Sequence, residues 1–286
     1  MTSWYIGRSA LRTLVAAMRR RQPQVTPFAI FSTPRTGSSW LVELLNSHPA
    51  ITCFGERFYE GRGVPRDNGD RGFVRFDDLP TRFARRIPRV EELELDLYLR
   101  LLYRSRPRSR AVGLKVMLEN TRRRPTLLDA LARRQSRIVH LVRRNTLAKL
   151  ISLRVAVARG VFRARVGDTL LQVTVRLKPE KLARDLDRME AEVAKSRELL
   201  AHHRFPTLEV SYEDLVARTT SELARIATFL GLATKPWPAE TTLVVTSPRP
   251  LDLVANREEV RRALAGTRYA AMLEELEALE AGRCLT

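Results

Sequence analysis

The chain has 286 residues, and 44% of them are hydrophobic. This length can bury a full core and most simply forms one domain, with two domains as the lesser alternative; the hydrophobic content excludes a wholly disordered protein. The 51 Lys and Arg residues against 32 Asp and Glu give a net charge of +19. Such a charge favours an anionic partner: a multiply phosphorylated nucleotide, an acidic glycan, a lipid headgroup or nucleic acid. Cys53 and Cys284 are too few and too far apart in sequence to suggest a disulfide framework, so cytosolic chemistry is the default.

The N-terminal segment is predicted to be a short basic amphipathic helix over residues 4–21, which is too short and too charged to span a bilayer. Residues 1–24 are therefore predicted to be a leader, which either packs one face on the domain or contacts an anionic membrane surface. Residues 25–286 are predicted to form the domain. The expected location is the cytoplasm, either free or peripheral to the inner face of the membrane.

The stretch FAIFSTPRTGSSWL, residues 28–41, predicts an apolar strand, a Pro/Gly turn and an amphipathic helix in direct succession. A turn of this kind can aim backbone N–H groups at a phosphate, and the following helix adds its positive N-terminal end. Arg35 supplies a guanidinium, while Thr36, Ser38 and Ser39 supply hydroxyl donors for oxyanion oxygens. The alternative is an ordinary strand–turn–helix corner without a ligand.

Strand and helix patterns alternate along the rest of the chain. Short apolar runs predict buried parallel strands at Ala111–Met117, Arg137–Val142 and Thr207–Ser211. Helical patterns cover residues 91–104, 126–134, 146–159, 179–203 and 221–230, the last closed by Gly231. This alternation predicts an α/β fold with a parallel sheet flanked by helices on both faces. Residues 60–78 are predicted to form a long surface loop.

A second anion-binding candidate follows the RIVHLV strand. Arg143 and Arg144 lie at its C-terminal end, and Ser152 lies eight residues after Arg144 on the next helix. Ligands of open α/β sheets bind outside the carboxyl ends of the strands, so two such groups suggest a ligand with two separated phosphates. The alternative is that both arginines are solvated and Ser152 packs inside its helix.

Together these motifs resemble the sulfotransferases that use 3′-phosphoadenosine 5′-phosphosulfate (PAPS), especially bacterial carbohydrate sulfotransferases of the nodulation-factor and glycolipid type. TPRTGSSW is similar to their 5′-phosphosulfate loop, and the spacing from Arg144 to Ser152 is that of their 3′-phosphate motif. HPAITCFGERF, GLKVM, LEVSYEDL and LDLVANREEVRRAL follow in the order of that family. The resemblance covers residues 28–273. One departure is Asn145-Thr146, where many members have Asp-Pro after the arginine.

The resemblance implies a P-loop-NTPase-like fold and a PAPS-dependent O-sulfotransferase that needs no metal. It implies a carbohydrate or glycolipid acceptor, PAPS as co-substrate and no nucleic-acid partner. In the C-terminal segment, Arg249 either reaches the 3′-phosphate or is a solvated loop arginine. Trp40 either stacks on a base or sugar or packs in the core. The implied nucleotide-binding residues are Pro34, Arg35, Thr36, Gly37, Ser38, Ser39, Trp40, Arg144, Ser152 and Arg249.

Sulfuryl transfer requires cations near the 5′-phosphate, because the bridging and leaving oxygens gain negative charge through a loose in-line transition state. Arg35 is the first candidate and Lys115 the second. Lys115 lies in an apolar strand and needs a charged partner there, so a structural salt bridge is the alternative to a catalytic role.

An acceptor hydroxyl also has to lose its proton. The resemblance assigns the general base to Glu56, which is expected in a loop shortly after the first helix. Without the resemblance, a lone loop glutamate is more often a surface charge. Glu60 is a nearby competitor, and His48 is the next candidate, although His48-Pro49 more simply ends the preceding helix, predicted over residues 40–47.

Two other classes of protein share some of these features. A P-loop kinase or NTPase requires G-x-x-x-x-G-K-[ST], whereas Gly37 is followed by Ser38 and the turn contains no lysine. A non-enzymatic nucleic-acid binder would use the net charge, yet the basic residues are scattered along the chain and no recognised reading motif is present.

Overall fold

The computed structural model describes residues 25–58, 73, 75–79, 88–104, 108–233, 237, 239–246 and 249–282. The predicted helix over residues 4–21 lies outside these ranges, as does most of the predicted 60–78 loop. Within that loop, Phe76–Asp78 forms a short 3-10 helix.

The core of the fold is one five-stranded sheet in which all neighbouring strands are parallel. Its strands are β1 (Thr26–Ser32), β2 (Ile51–Glu56), β3 (Ala111–Met117), β4 (Arg137–Val142) and β5 (Thr207–Ser211), in the spatial order β2-β3-β1-β4-β5. β1 is therefore central, and the chain that leaves it emerges between the ends of β3 and β4. This order confirms the predicted parallel α/β sheet and the bounds of its three predicted strands.

Ten helices are described: α1 (Ser38–Asn46), α2 (Pro88–Arg104), α3 (Leu118–Arg123), α4 (Leu127–Arg133), α5 (Thr146–Arg159), α6 (Pro179–His202), α7 (Tyr212–Ala217), α8 (Thr219–Phe229), α9 (Arg257–Leu264) and α10 (Ala270–Glu280). Another short 3-10 helix, Leu251–Leu253, precedes α9. The predicted α5 has the observed bounds, and α1, α2, α4, α6 and α8 differ from the predicted bounds by one to three residues. The sequence patterns did not predict α3, α9 or α10.

Successive residues of a strand point to opposite faces of the sheet, so each face of β1 carries apolar side chains that pack against helices. Ala29 and Phe31 of β1 pack into the cluster that contains α2 and α4, whereas Phe28 and Ile30 pack into the cluster that contains α1 and α8. A third cluster joins α5 and α6 to α9 and α10. Both faces of the described sheet are thus buried by helices, as predicted.

One predicted element was wrong. Glu56 was expected in a loop, but it is the last residue of β2, opposite Lys115 of β3, just after a register shift that begins at Phe54. The strand was missed because its sequence, ITCFGE, contains only two large apolar or aromatic side chains, Ile51 and Phe54, and a glycine. Pairing with β3 nevertheless buries Ile51, Cys53 and Phe54 completely or nearly so.

Candidate active site

Residues 33–37 form the turn that joins β1 to α1, and together with Ser38 and Ser39, the first two residues of α1, they are called the 33–39 loop. The backbone of this loop is unusual. Arg35 has φ of 65° and Gly37 has φ of 83°, both in the left-handed region that non-glycine residues seldom adopt. α1 begins directly after Gly37 with no side-chain cap and no acidic residue in its first turn. Its first N–H groups are therefore left for an anion, which the helix dipole also favours. This geometry is consistent with the predicted phosphate-binding turn.

Gly37 is also required by close packing. A Cβ at this position would lie 2.6 Å from Cδ2 of Tyr212, the first residue of α7. On the same tyrosine, the Arg143 guanidinium lies 4.6 Å from the ring centroid, and Arg143 donates a 3.4 Å hydrogen bond to the carbonyl oxygen of Arg35. Arg143, which follows β4, and Tyr212, which begins α7, thus pack against the 33–39 loop.

Arg143 is therefore not the solvated charge that the alternative reading proposed. Burial lowers its pKa from the ordinary arginine value, although the nearby Tyr212 and Glu213 oppose this shift. The sequence patterns singled out Arg144 by its spacing to Ser152 and did not indicate that Arg143 is the buried one of the two. The two are adjacent, and only the position of Tyr212 decides which one is covered.

Arg35 joins the two predicted motifs. Its Nε and Nη2 donate to Ser152 Oγ at 3.0 and 2.9 Å, its Nη1 to the Phe162 carbonyl at 2.5 Å, and its Nη2 to Thr246 Oγ1 at 3.0 Å. All of these acceptors are neutral. Burial and the neighbouring Arg143 lower the pKa of Arg35 to about 10. A partly buried guanidinium paired with neutral oxygens is a binding group for an anionic ligand.

The predicted catalytic residues Lys115 and Glu56 are also together. Lys115 Nζ lies 2.9 Å from Glu56 Oε1 and donates a 3.2 Å hydrogen bond to Ser39 Oγ of the loop. The side chain of Lys115 is 5% exposed and that of Glu56 is 21% exposed. Lys115 thus has the charged partner that its burial requires, as the structural alternative proposed, and that partner is the candidate base itself.

A second cation approaches Glu56 that the sequence analysis did not single out. Nη2 of Arg163, four residues after the end of α5, lies 3.7 Å from Glu56 Oε1. No motif indicated Arg163, because the residues around it form neither a strand nor a helix.

Lys149 is a further cation that the sequence analysis missed. It is buried on α5, where its Nζ donates a 2.8 Å hydrogen bond to Thr33 Oγ1 at the start of the loop. Burial lowers its pKa to about 8. Its position three residues before Ser152 placed both residues on one side of α5, and this spacing was a signal in the sequence.

Arg144 and Arg249 are more exposed than the other predicted binding residues. The side chain of Arg144 is 58% exposed; its Nη1 lies 2.8 Å from Asp214 Oδ2 and its backbone N–H donates to Glu213. It follows Arg143 directly and so lies at the same edge of the sheet as Arg35. Arg249 is exposed on the C-terminal segment.

The remaining predicted residues have mainly structural contacts. Thr36 is buried and donates to the Thr33 carbonyl, Ser38 is buried, and Pro34 is exposed. The Trp40 ring packs edge-on against Tyr212, with centroids 6.1 Å apart, which supports the packing alternative.

His48 accepts a hydrogen bond from the Ala50 N–H and packs edge-on against Trp237. Desolvation lowers its pKa. Since its Nδ1 is used by the turn after α1, its described contacts are those of a structural residue. The competing base Glu60 lies outside the described residues.

The sequence model described as "Sulfotransferase family" matches residues 27–236, which include β1, the 33–39 loop, Glu56, Lys115 and α5. The chain belongs to the sulfotransferase family. It is 29% identical over 258 residues to nodulation protein H of Rhizobium tropici, an alignment that covers 88% of this chain and 94% of that protein. Membership and the parallel sheet confirm the predicted P-loop-NTPase-like fold and an enzyme of sulfuryl transfer.

Solved structures with similar chains are also sulfotransferases. That from Alicyclobacillus acidocaldarius is 17% identical with a TM-score of 0.46, and the alignment covers 92% of this chain and 98% of that one. The sulfotransferase domain of the Synechococcus PCC 7002 olefin synthase is 19% identical with a TM-score of 0.42, covering 94% and 98%. A mouse sulfotransferase complexed with PAP is 13% identical with a TM-score of 0.40, covering 94% and 87%.

None of the described helices is long and apolar enough to cross a membrane. In the same part of the chain, no group of three or more His, Cys, Asp or Glu residues is placed to hold a metal ion.

Proposed function

We propose that this sulfotransferase moves the sulfuryl group of PAPS to a hydroxyl of a carbohydrate or glycolipid, with Glu56 as the general base. The observation that carries the proposal is the position of Lys115. Its ammonium contacts the candidate base at 2.9 Å and the 33–39 loop, through Ser39, at 3.2 Å. One cation therefore stands between the proposed proton acceptor and the proposed phosphate site.

The residues present fit the two phosphate groups of such a nucleotide. The uncapped start of α1 and the guanidinium of Arg35 suit the 5′-phosphosulfate, because both offer donors that no carboxylate among the described residues neutralises. Ser152 and Arg144, with Arg249, are proposed to bind the 3′-phosphate. In this arrangement Ser152 stands between the two ends, since its hydroxyl already accepts two hydrogen bonds from Arg35.

The proposed chemistry assigns one task to each residue. Glu56 accepts the proton of the acceptor hydroxyl while the hydroxyl oxygen forms its bond to sulfur. The bond between sulfur and the 5′-phosphate oxygen breaks, and that oxygen keeps the electron pair. Lys115 and Arg35 stabilise the negative charge that develops on it. Because transfer is in line, Glu56 must face the sulfur from the side opposite the 33–39 loop.

The acceptor class rests on the resemblance to carbohydrate and glycolipid sulfotransferases. Nodulation protein H supports it as a relative aligned over most of both chains. Transfer of labelled sulfate from PAPS to a panel of glycans, glycolipids and simple phenols tests this assignment, and labelling of the phenols alone would contradict it.

Nucleotide binding distinguishes this proposal from the kinase and nucleic-acid alternatives. We expect 3′-phosphoadenosine 5′-phosphate to raise the thermal unfolding midpoint, whereas ATP with Mg²⁺ and short oligonucleotides leave it close to that of the free protein. A larger shift with ATP and Mg²⁺ would favour a kinase or NTPase, and a larger shift with oligonucleotides would favour a nucleic-acid binder.

Replacing Glu56 tests the proposed base. Glu56→Gln keeps the shape of the side chain but cannot accept the proton, so we expect kcat to fall by about 10²-fold or more, with the affinity for 3′-phosphoadenosine 5′-phosphate retained. Glu119→Gln is the matched control, because Glu119 is 58% exposed and pairs with Arg123 on α3. Near-normal turnover of Glu56→Gln at saturating substrates would reassign the base.

A further inference from the structure

Arg163 reaches the candidate base from a different part of the molecule than Lys115. Lys115 belongs to β3, whereas Arg163 belongs to the irregular segment that follows α5. The closest approach of both cations is to the same carboxylate oxygen, Oε1 of Glu56, at 2.9 and 3.7 Å. Neither closest approach is to the other oxygen, Oε2.

The backbone on both sides of Arg163 is held in place. The carbonyl of Phe162 accepts the 2.5 Å hydrogen bond from Arg35, and the carbonyl of Ala164 accepts a 3.0 Å hydrogen bond from the Val244 N–H. The side chain of Ala164 is buried. The backbone of Arg163 is therefore held on both sides by hydrogen bonds, at Phe162 and at Ala164. The bond at Phe162 comes from Arg35 of the 33–39 loop, which is proposed to bind the donor.

We infer that Arg163 is a positioning residue that, together with Lys115, holds Oε1 of Glu56 and so presents Oε2 to the acceptor hydroxyl. The inference rests on the proposed function, because it takes Glu56 as the base. Its physical basis is that the terminal torsion of a glutamate side chain is broad and two-fold, so a single contact leaves the carboxylate free to turn. A second cation on the same oxygen, fixed to another element, restricts this rotation, and general-base catalysis depends on such orientation.

The inference also connects the donor site to the base. The guanidinium of Arg35 donates to the Phe162 carbonyl, and Phe162 precedes Arg163 directly, so a side chain of the 33–39 loop contacts the backbone next to Arg163. A shift of the Arg35 guanidinium toward a bound phosphate would act on the residue next to Arg163.

The first test compares Arg163→Ala with Arg163→Lys and with Arg154→Ala. Arg154 is the control, because it is an exposed arginine of α5 that pairs with Asp185 outside the site. For Arg163→Ala we expect kcat to fall by about tenfold at saturating acceptor, with the affinity for 3′-phosphoadenosine 5′-phosphate within about twofold of the parent. Arg163→Lys should restore most of this loss, because it keeps the charge and shows that the loss is not one of folding.

The second test is a double-mutant cycle with Glu56→Gln. If Arg163 acts through Glu56, Arg163→Ala adds no further loss of kcat in the Glu56→Gln protein. An equal tenfold loss in both backgrounds would overturn the inference, because Arg163 would then act on the substrates directly. A parent-like kcat for Arg163→Ala would also overturn it, as would a loss confined to nucleotide affinity.

The two proposals fail in different ways. Normal turnover of Glu56→Gln would contradict the assignment of Glu56 as the base, and with it the positioning role of Arg163. A strong effect of Glu56→Gln combined with no effect of Arg163→Ala leaves the proposed function intact and rejects only the positioning role.

Discussion

The two sides of the candidate site are built differently. On one side, the 33–39 loop rests on regular elements: Arg143 at the end of β4, Tyr212 at the start of α7, and Lys149 and Ser152 on α5. On the other side, residues 160–178 and 239–246, here called the outer segments, are largely irregular. An isolated antiparallel bridge between Arg165 and Leu243 joins them to each other.

The side chains of the loop side are also less exposed to solvent than several of those in the outer segments. Arg143, Lys149 and Ser152 are buried or partly buried, whereas the outer segments expose Phe162 by 54% and Val166 by 74%. The outer segments are attached to the loop side at a few polar points. Arg35 holds Phe162 and Thr246, and Glu43 of α1 accepts hydrogen bonds from Thr241 and Thr242.

This difference favours nucleotide binding on the loop side and acceptor recognition by the outer segments. Binding a phosphate with backbone N–H groups needs a backbone that is fixed before the ligand arrives, and buried packing supplies that. Recognition of an acceptor is commonly carried by irregular segments on a rigid scaffold. Substitutions on the loop side should therefore have large effects on nucleotide binding, and comparable substitutions in the outer segments should have small ones.

The largest expected contrast is between two glycines with positive φ. Gly37→Ala would place a Cβ 2.6 Å from the Tyr212 ring at φ of 83°, whereas Gly167→Ala, at φ of 92° in an outer segment, meets nothing within 4 Å. Both changes carry backbone strain of about 1–2 kcal/mol, but only the first displaces a neighbour.

We expect Gly37→Ala to weaken binding of 3′-phosphoadenosine 5′-phosphate by about 10²-fold in calorimetric titrations, because the loop loses its fixed geometry. Gly167→Ala should leave this affinity near that of the parent. Similar losses for both variants would show that the two sides do not differ in the proposed way.

A smaller effect is expected for Arg144, which lies on the loop side but is exposed. Arg144→Ala should weaken binding of 3′-phosphoadenosine 5′-phosphate by about tenfold and leave binding of adenosine 5′-phosphate unchanged, because only the first ligand carries a 3′-phosphate. Unfolding stability should change by less than about 1 kcal/mol, as is usual for a surface pair.

Arg218→Ala is the matched control for Arg144. Arg218 is 62% exposed and contacts the same carboxylate, Asp214, at 2.8 Å. If Arg218→Ala weakened binding of the bisphosphate as much as Arg144→Ala, the effect would come from Asp214 and not from a 3′-phosphate contact.

A separate effect, on stability and not on ligand binding, is the pH dependence of the free energy of unfolding. The pKa of Lys149 is about 8 in the folded protein and has the ordinary value of 10.5 when the side chain is in solvent. Between these values the unfolded chain binds more protons, so Lys149 makes the free energy of unfolding rise with pH from about 8 to 10.5. This contribution is lost as pH falls through about 8.

Lys149→Met should remove that part of the slope, which urea denaturation at several pH values from 8 to 10.5 would measure. Lys195→Met is the control, because Lys195 is 56% exposed and pairs with Glu198 on α6. Equal slopes for the parent and Lys149→Met would mean that the ammonium of Lys149 is not desolvated in the folded protein.

Much of the framework was predictable from local patterns. The bounds of β3, β4, β5 and α5 follow from apolar runs and helical spacing. β2 was not predictable in this way, because its short apolar run becomes a strand only through pairing with β3. Residues that are proposed to bind a ligand through the backbone, such as Gly37, were indicated by the turn composition.

The neighbouring residues Arg143 and Arg144 show what local sequence patterns could not predict. Arg143 and Arg144 have the same chemistry and neighbouring positions, yet one is covered by Tyr212 and the other pairs with Asp214. Tyr212 and Asp214 lie about 70 positions away along the chain, so no local pattern contains this information. Arg163 is a similar case, since its partner Glu56 belongs to a distant strand.

The sequence by itself determined the parallel α/β class, the strand–turn–helix around Arg35 and the residue types available for an anion, because each depends on local spacing. The tertiary structure alone decided that Arg35 contacts Ser152, 117 positions away, and that Lys115 stands between Glu56 and Ser39. The reason is the sheet order: with β1 between β3 and β4, the carboxyl ends of three strands converge, and side chains distant in sequence come within hydrogen-bonding distance.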